Sequence, residues 1–262
     1  MSVPWLDPRN GPEFDLSMVD QPRTRLLLAT TPRCGSTLLA RLLWETGSFG
    51  APKEYLNPMQ LWDWGQRFGH PAWRALLRVA PPSMSPVLAR GWTTRAVLAH
   101  LARVEARRTS ANGVFGLKLH AHHAHQWFGT RLPEVLDKAR VVRLVREDSL
   151  AQAISWVRAE QTGAWVAHQP VQRQPHYRRR AITRKLDAIA WGDAWWAERA
   201  RTQQWTVLRV TYDALVASPS EVIERIAAHV GVTLEGPMPS SGLVRQADAT
   251  SLSWKQRYLD GQ

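Results

Sequence analysis

The chain has 262 residues, 44% of them hydrophobic and 21% charged, which excludes a disordered polymer and suits one folded domain. Thirty-four Lys and Arg against twenty-two Asp and Glu give a formal charge of +12, so the partners that this surface favours are anions: a nucleotide, a nucleic acid or an acidic membrane. The one cysteine, Cys34, excludes an internal disulfide.

Residues 1–24 carry acidic residues and four prolines but no apolar segment, so they read as an extension and neither a signal peptide nor an anchor. No window holds the ~20 apolar residues that cross a bilayer, and a soluble, cytoplasmic protein is expected. Residues 25–262 are expected to form a single domain. Arg25 to Thr30, "RLLLAT", predicts a buried strand. "STLLARLLWETG" follows with Leu38, Leu39, Leu42 and Leu43 at helical spacing, ended by Gly47. Residues 57–92 are rich in Trp, Pro and Gly and predict short helices and loops facing a substrate. A helix over residues 93–108 is capped by Thr93 or Thr94. Strands are predicted at Gly113–His120, Arg140–Asp148 and from Trp205 towards Leu215. Helices are predicted at residues 132–139, 149–161, 181–204 and 219–232, the last with Pro219 in its first turn. The tail from Ser241 is polar and mixed. Strands alternating with helices, without tight hairpins, predict a parallel sheet covered by helices, with ligands beyond the carboxyl ends of the strands.

The turn "TTPRCGST" stands at such an end. Backbone N–H groups and the dipole of the following helix make it an anion site. The nucleotide-hydrolase version ends in Gly-Lys-Ser/Thr, but here Ser36 takes the lysine position and Arg33 precedes the glycine. Neither Asp148 nor Asp213 closes a strand cleanly enough to hold magnesium. The expected anion is therefore held without a metal by N–H groups, hydroxyls and Arg33, which disfavours ATP or GTP hydrolysis. Sulfuryl transfer fits this gap, because the moving group carries less charge than a phosphoryl. It still needs preorganised donors for the leaving phosphate and a base for the acceptor hydroxyl. Arg146 with Ser155 suits a second, terminal phosphate, and Glu54 in "PKEYLNP" is a candidate base.

Six stretches in order, "RCGSTLL", "TGSFGAPKEYLNP", "NGVFGLKLH", "VREDSLAQAISWVRAEQTGAW", "VTYDAL" and "LVRQADATSLSWKQRY", resemble the bacterial sulfotransferases of the trehalose 2-sulfotransferase-like family, related to the nodulation and lipopolysaccharide enzymes. The resemblance runs from about Arg25 to Tyr258. It implies a three-layer α/β/α fold of the nucleoside-kinase kind, with a central, mostly parallel sheet. It implies 3′-phosphoadenosine 5′-phosphosulfate (PAPS) as donor, a sugar or glycolipid hydroxyl as acceptor, and a homodimer. Arg33, Cys34, Gly35, Ser36 and Thr37 would cradle the phosphosulfate. Arg146 and Ser155 would hold the 3′-phosphate, and Arg245 would close over the donor. Glu54 would be the general base, and Ala51, Pro52, Lys53, Tyr55 and Asn57 would meet the acceptor beside it. Lys118 is a candidate for stabilising the leaving group. Pro32 and Ala51 depart from the family pattern beside the acceptor, which leaves the acceptor open.

Three further readings stand beside this one. His120, His122, His123 and His125 either hold a metal or donate hydrogen bonds near the anion, and the second is favoured. A metal-dependent small-molecule kinase or nucleotide-binding module shares the turn. The cluster "YRRRAITRK" and the +12 charge admit a nucleic-acid or membrane-surface binder, although no nucleic-acid motif is present.

Overall fold

Leu26, Leu27 and Leu28 have no exposed surface, as expected for a strand covered on both faces. The computed structural model describes residues 11–166, 169–234 and 249–262. Its sheet has four strands, β1 (Thr24–Thr30), β2 (Val114–His120), β3 (Arg140–Val145) and β4 (Val207–Thr211), in the order β2-β1-β3-β4. Every pairing is parallel, with Leu28 beside Lys118 and beside Val142.

The helices are α1 (Ser36–Glu45), α2 (Leu61–Phe68), α3 (Pro71–Val79), α4 (Ser85–Ala89), α5 (Thr94–Arg108), α6 (Ala121–Phe128), α7 (Glu134–Asp137), α8 (Ser149–Thr162), α9 (Arg179–Thr202), α10 (Tyr212–Ala217), α11 (Pro219–Val230) and α12 (Ala249–Leu259). Because side chains alternate along a strand, Leu26 and Leu28 enter one core with α1, α10 and α11. Leu27 and Ala29 enter the other, with α2, α5, α6 and α9. These are the three expected layers. Truncating a core leucine such as Leu27 to Ala costs about 2–5 kcal/mol. A third cluster joins α8, α9 and α12 through Ile154, Ile189 and Trp254.

The structure differs from the sequence expectations in four places, the first being that the strand read from Trp205 towards Leu215 ends at Thr211, whose side chain caps α10. β3 stops at Val145, not Asp148, because Asp148 accepts Ala151 N at 2.9 Å and caps α8. Residues 121–128 form a helix, since Ala121, Ala124, Trp127 and Phe128 recur at helical spacing and face the core. Within the mixed tail, residues 249–259 form α12, whose Trp254 packs edge-on against Tyr177.

The chain before β1 lies against α5. Leu16 N donates to Arg107 O at 2.8 Å and Val19 N to Ala106 O at 3.0 Å. Asp15 is paired with Arg67 at 2.7 Å and with the wholly buried Arg108 at 2.9 Å.

Candidate functional site

The turn after β1 holds two residues at positive φ, Arg33 at 66° and Gly35 at 95°. Gly35 has a second constraint: a Cβ there would lie 2.5 Å from Cδ2 of Tyr212. Glycine alone meets both demands and lets the helix start against the ring. Gln152, on α8 and 1% exposed, fixes the turn from outside, with Nε2 donating to Thr31 Oγ1 at 2.9 Å and to Pro32 O at 2.7 Å. Trp196 Nε1, on α9, donates to Thr30 O at 3.0 Å and pins the strand end.

Arg33 Nε donates to Ser155 Oγ at 3.0 Å, and its NH1 donates to Trp165 O. Burial first, and then the neighbouring Arg146, lower the Arg33 pKa to about 10, so it stays charged at neutral pH. Arg146 stacks its guanidinium 4.8 Å from the Tyr212 ring centroid. Two arginines kept this close favour an anion between or beside them. Ser155 is thus held by Arg33 in this structure, while Arg146 meets Tyr212. The Cys34 side chain is wholly buried in the core with Leu39 and Leu42, and burial raises its pKa. A nucleophilic thiolate does not fit that position. Any part that Cys34 takes in anion binding falls to its backbone N–H.

The cation missing from the turn arrives from the neighbouring strand. Lys118, on β2 and 5% exposed, places Nζ 3.0 Å from Thr37 Oγ1 in the first turn of α1. The same ammonium stands 2.8 Å from Glu54 Oε1. Lys118 and His120 are two residues apart on β2 and therefore share a face. His120 Nε2 lies 3.2 Å from Glu54 Oε1, and its Nδ1 lies 2.8 Å from Thr30 Oγ1. Thr30 Oγ1 also lies 3.2 Å from Leu119 O. Where Thr30 donates to Nδ1, Nε2 carries the ring proton and donates to Glu54; where Thr30 donates to Leu119 O, Nδ1 carries a proton and donates to Thr30 Oγ1.

Glu54 reaches this position because its segment runs beside β2. Lys53 forms a parallel bridge with Leu117, and Lys118 N donates to Lys53 O at 3.0 Å. Tyr55 anchors the segment from below, wholly buried against Trp64 and Phe115, its hydroxyl on Ala51 O. Asn57 completes the carboxylate's partners, with Nδ2 donating to Glu54 Oε2 at 2.7 Å. Burial alone would raise the Glu54 pKa, but Lys118, His120 and His123 outweigh it and hold the carboxyl well below its ordinary range. Of the predicted acceptor segment, Glu54 and Asn57 stand at the site, whereas Ala51, Pro52, Lys53 and Tyr55 are buried.

The other histidines continue from His120 onto α6. His122 and His123 have ring centroids 4.0 Å apart, and His123 lies 5.6 Å from His120. His123 is buried with Nδ1 lacking a hydrogen-bond partner, and burial, His122 and His120 push its pKa well below the usual histidine value. His125 faces Trp191 and Trp195 instead. Among the described residues no group of three or more His, Cys, Asp or Glu is arranged around a metal position. Arg245 lies outside the described residues.

A cavity of about 650 Å³ opens between α9 and the β3–β4 edge, lined by Val141, Arg143, Arg146, Trp196 and Arg209 among others. It shares Arg146 with the predicted donor site but reaches neither Glu54 nor the turn. The converging charged groups at Glu54, not this cavity, mark where chemistry is supported. Sequence reasoning missed Gln152, Tyr212 and the pinning Trp196. Gln152 precedes Ser155 by three residues, one helical face, which was the available signal.

The family model described as Stf0 sulphotransferase matches residues 25–260. A trehalose 2-sulfotransferase from Mycolicibacterium smegmatis is 26% identical over 92% of this chain and 96% of its own. Among solved structures, sulfotransferase STF9 from Mycobacterium avium is 13% identical with a TM-score of 0.49, over 93% of this chain and 69% of its own. The sulfotransferase domain of the curacin biosynthetic pathway is 15% identical with a TM-score of 0.47, over 90% and 83%. With its matched region running from the first strand to the last helix, the chain belongs to the Stf0 sulphotransferase family.

Proposed function

We propose that this sulfotransferase moves a sulfuryl group from PAPS to a carbohydrate or glycolipid hydroxyl, with Glu54 as general base. The observation that carries the reading is the double contact of Lys118, 3.0 Å from Thr37 in the anion turn and 2.8 Å from Glu54. One ammonium bridges the place for a leaving phosphate and the place for an acceptor proton. The turn fits an anion: it joins a helix start at a positive-φ glycine to Arg33 and Arg146.

In this reading the acceptor oxygen attacks sulfur, and the bond from sulfur to the bridging phosphate oxygen breaks. The electron pair leaves with the 5′-phosphate of adenosine 3′,5′-bisphosphate, and the hydroxyl proton goes to the Glu54 carboxylate. Lys118 and the N–H groups of the turn meet the charge that grows on the leaving oxygen. A resting Glu54 paired to Lys118 is a weak base. As Lys118 turns towards the leaving phosphate, its hold on Glu54 loosens and the carboxylate becomes more basic at the moment the proton departs. Arg146 is assigned to the 3′-phosphate with Ser155, a role shared with Arg33 in view of the Arg33–Ser155 bond. A sugar acceptor is supported by the trehalose enzyme among the relatives. It is also supported by Trp165, 38% exposed, whose carbonyl receives Arg33 beside the turn.

Calorimetry tests the donor. Adenosine 3′,5′-bisphosphate is expected to bind about 10–100-fold tighter than AMP, the worth of one charge-assisted phosphate contact. Equal affinities would refute PAPS as the donor. Incubation with PAPS and a panel of disaccharides and glycolipids, read by mass spectrometry, then identifies the acceptor as the species gaining one SO₃. Light scattering decides the expected homodimer.

A further inference from the structure

Among the described residues, five of the eleven exposed large hydrophobic side chains, Met59, Leu76, Val79, Met84 and Val87, fall within residues 59–87, a cap built of α2, α3, α4 and the turns beside them. Val79 is 82% exposed and Val87 51%. On α3 the exposed residues Ala72, Ala75, Leu76 and Val79 follow i, i+3, i+4, i+7 spacing and form one apolar stripe. Trp73 and Leu77 point the other way, towards α2, where Gly65 meets both. Arg74 and Arg78 are exposed beside the stripe, and Arg90 is exposed just past α4. The sequence from residue 64 to residue 104 holds six arginines and no Asp or Glu. The acid that ends this stretch, Glu105, is 4% exposed and is paired with Arg25.

We infer that this cap is a peripheral docking surface for an anionic phospholipid bilayer, with α3 lying along the interface, its apolar stripe inserted and its arginines against the head groups. Exposed apolar residues on a helix that itself carries cations and no acid are the features of an interfacial helix. A second copy of the chain is disfavoured as the occupant, because a two-fold contact sets this basic patch against an equally basic one. A nucleic acid would use the arginines but not Leu76, Val79, Met84 and Val87. No helix of the described residues is long and apolar enough to cross a membrane, so contact through this cap is to the surface only. The inference does not rest on the donor or the acceptor.

Sedimentation of the full chain with vesicles tests it. At about 0.1 M salt the protein is expected to pellet with phosphatidylglycerol-containing vesicles and to stay in solution with pure phosphatidylcholine. Leu76→Asp with Val79→Asp, and separately Arg74→Glu with Arg78→Glu, each weaken that binding at least about ten-fold. The urea unfolding midpoint stays unchanged in both, which shows the fold intact. Should the double aspartate variant fold poorly, Val79→Cys carrying an environment-sensitive dye replaces it. Its emission shifts to the blue with anionic vesicles, and the same dye at Leu252→Cys does not respond. Absence of pelleting, equal pelleting of both vesicle types, or wild-type binding by the variants overturns the inference. So does a concentration-dependent dimer that the same substitutions dissolve, which assigns the patch to a second copy.

Discussion

Lys118 Nζ lies 2.8 Å from Glu54 Oε1 while the same ammonium reaches Thr37 at the start of α1. The two partners therefore compete for one cation. Glu54→Gln is expected to lower turnover about 10²–10⁴-fold, the usual worth of a general base. Its affinity for adenosine 3′,5′-bisphosphate is expected to stay the same or rise, because Lys118 is released to the turn. Lys118→Met is expected to lower both turnover and nucleotide affinity. Single-turnover rates and calorimetry on the two variants check the contrast. A Glu54→Gln enzyme at the wild-type rate places the base elsewhere.

Gln152 holds the turn through two hydrogen bonds, to Thr31 Oγ1 and Pro32 O. It contacts no predicted substrate group, so its role is to position the turn. Gln152→Leu keeps the volume and leaves buried polar partners unsatisfied, at a cost of about 1–3 kcal/mol. The turn carries Arg33 at positive φ and is the part that relaxes first. Nucleotide affinity is expected to fall about ten-fold, with turnover at saturating donor kept within a few-fold. A lower melting temperature with unchanged affinity would make Gln152 a purely structural residue.

The strand, turn and first helix were legible because their signals are local. Three consecutive leucines, a glycine at a turn and leucines at helical spacing each act over a few residues. The α6 helix was hidden because histidine occupies its variable positions, and histidine is neither clearly apolar nor clearly polar. Its Ala121, Ala124, Trp127 and Phe128 carried the period all the same. The functional partners were harder. Lys118 meets Thr37 across 81 residues of sequence, and Gln152 meets Thr31 across 121. Such contacts follow from the strand order and not from any motif. Glu54, Lys118 and Arg33 could be named from residue type and resemblance, but the ammonium shared between base and turn emerges only when β1 and β2 are paired.

Asp15 lies ahead of β1, yet it is bound into the body of the protein. Its carboxylate is paired with Arg67 and with Arg108, which has no exposed side-chain surface. Removing one partner of a buried pair costs about 3–5 kcal/mol, and Asp15 is itself 24% exposed, which reduces that figure. Asp15→Ala is expected to lower stability by about 2–3 kcal/mol, read by urea unfolding. Arg108 also packs on Trp64, 5.6 Å from the ring centroid, and Trp64 supports Tyr55 beneath Glu54. Turnover should therefore fall together with stability. A variant as stable as wild type would show that the N-terminal segment is only laid on the surface.

His100 sets the response to acid. It is 1% exposed, its Nε2 faces Tyr55 O at 3.3 Å, and its Nδ1 has no hydrogen-bond partner. The carbonyl needs Nε2 to carry the proton, so the neutral tautomer fits the site and a second proton on Nδ1 does not. Burial accordingly pushes the His100 pKa down to about 4. In the unfolded chain the group titrates near ~6.5, so between these values the unfolded state binds the extra proton. Stability then rises with pH through this window and is lost as pH falls from ~6.5 towards 4. A difference of two to three pKa steps is worth about 3 kcal/mol, and His122, lowered by burial to about 4, and the buried His123 add to it in the same direction. Urea unfolding of wild type at several pH values between these limits should show that slope, and His100→Gln should make it shallower. A wild-type slope no steeper than that of the variant would mean that His100 accepts a proton in the folded protein.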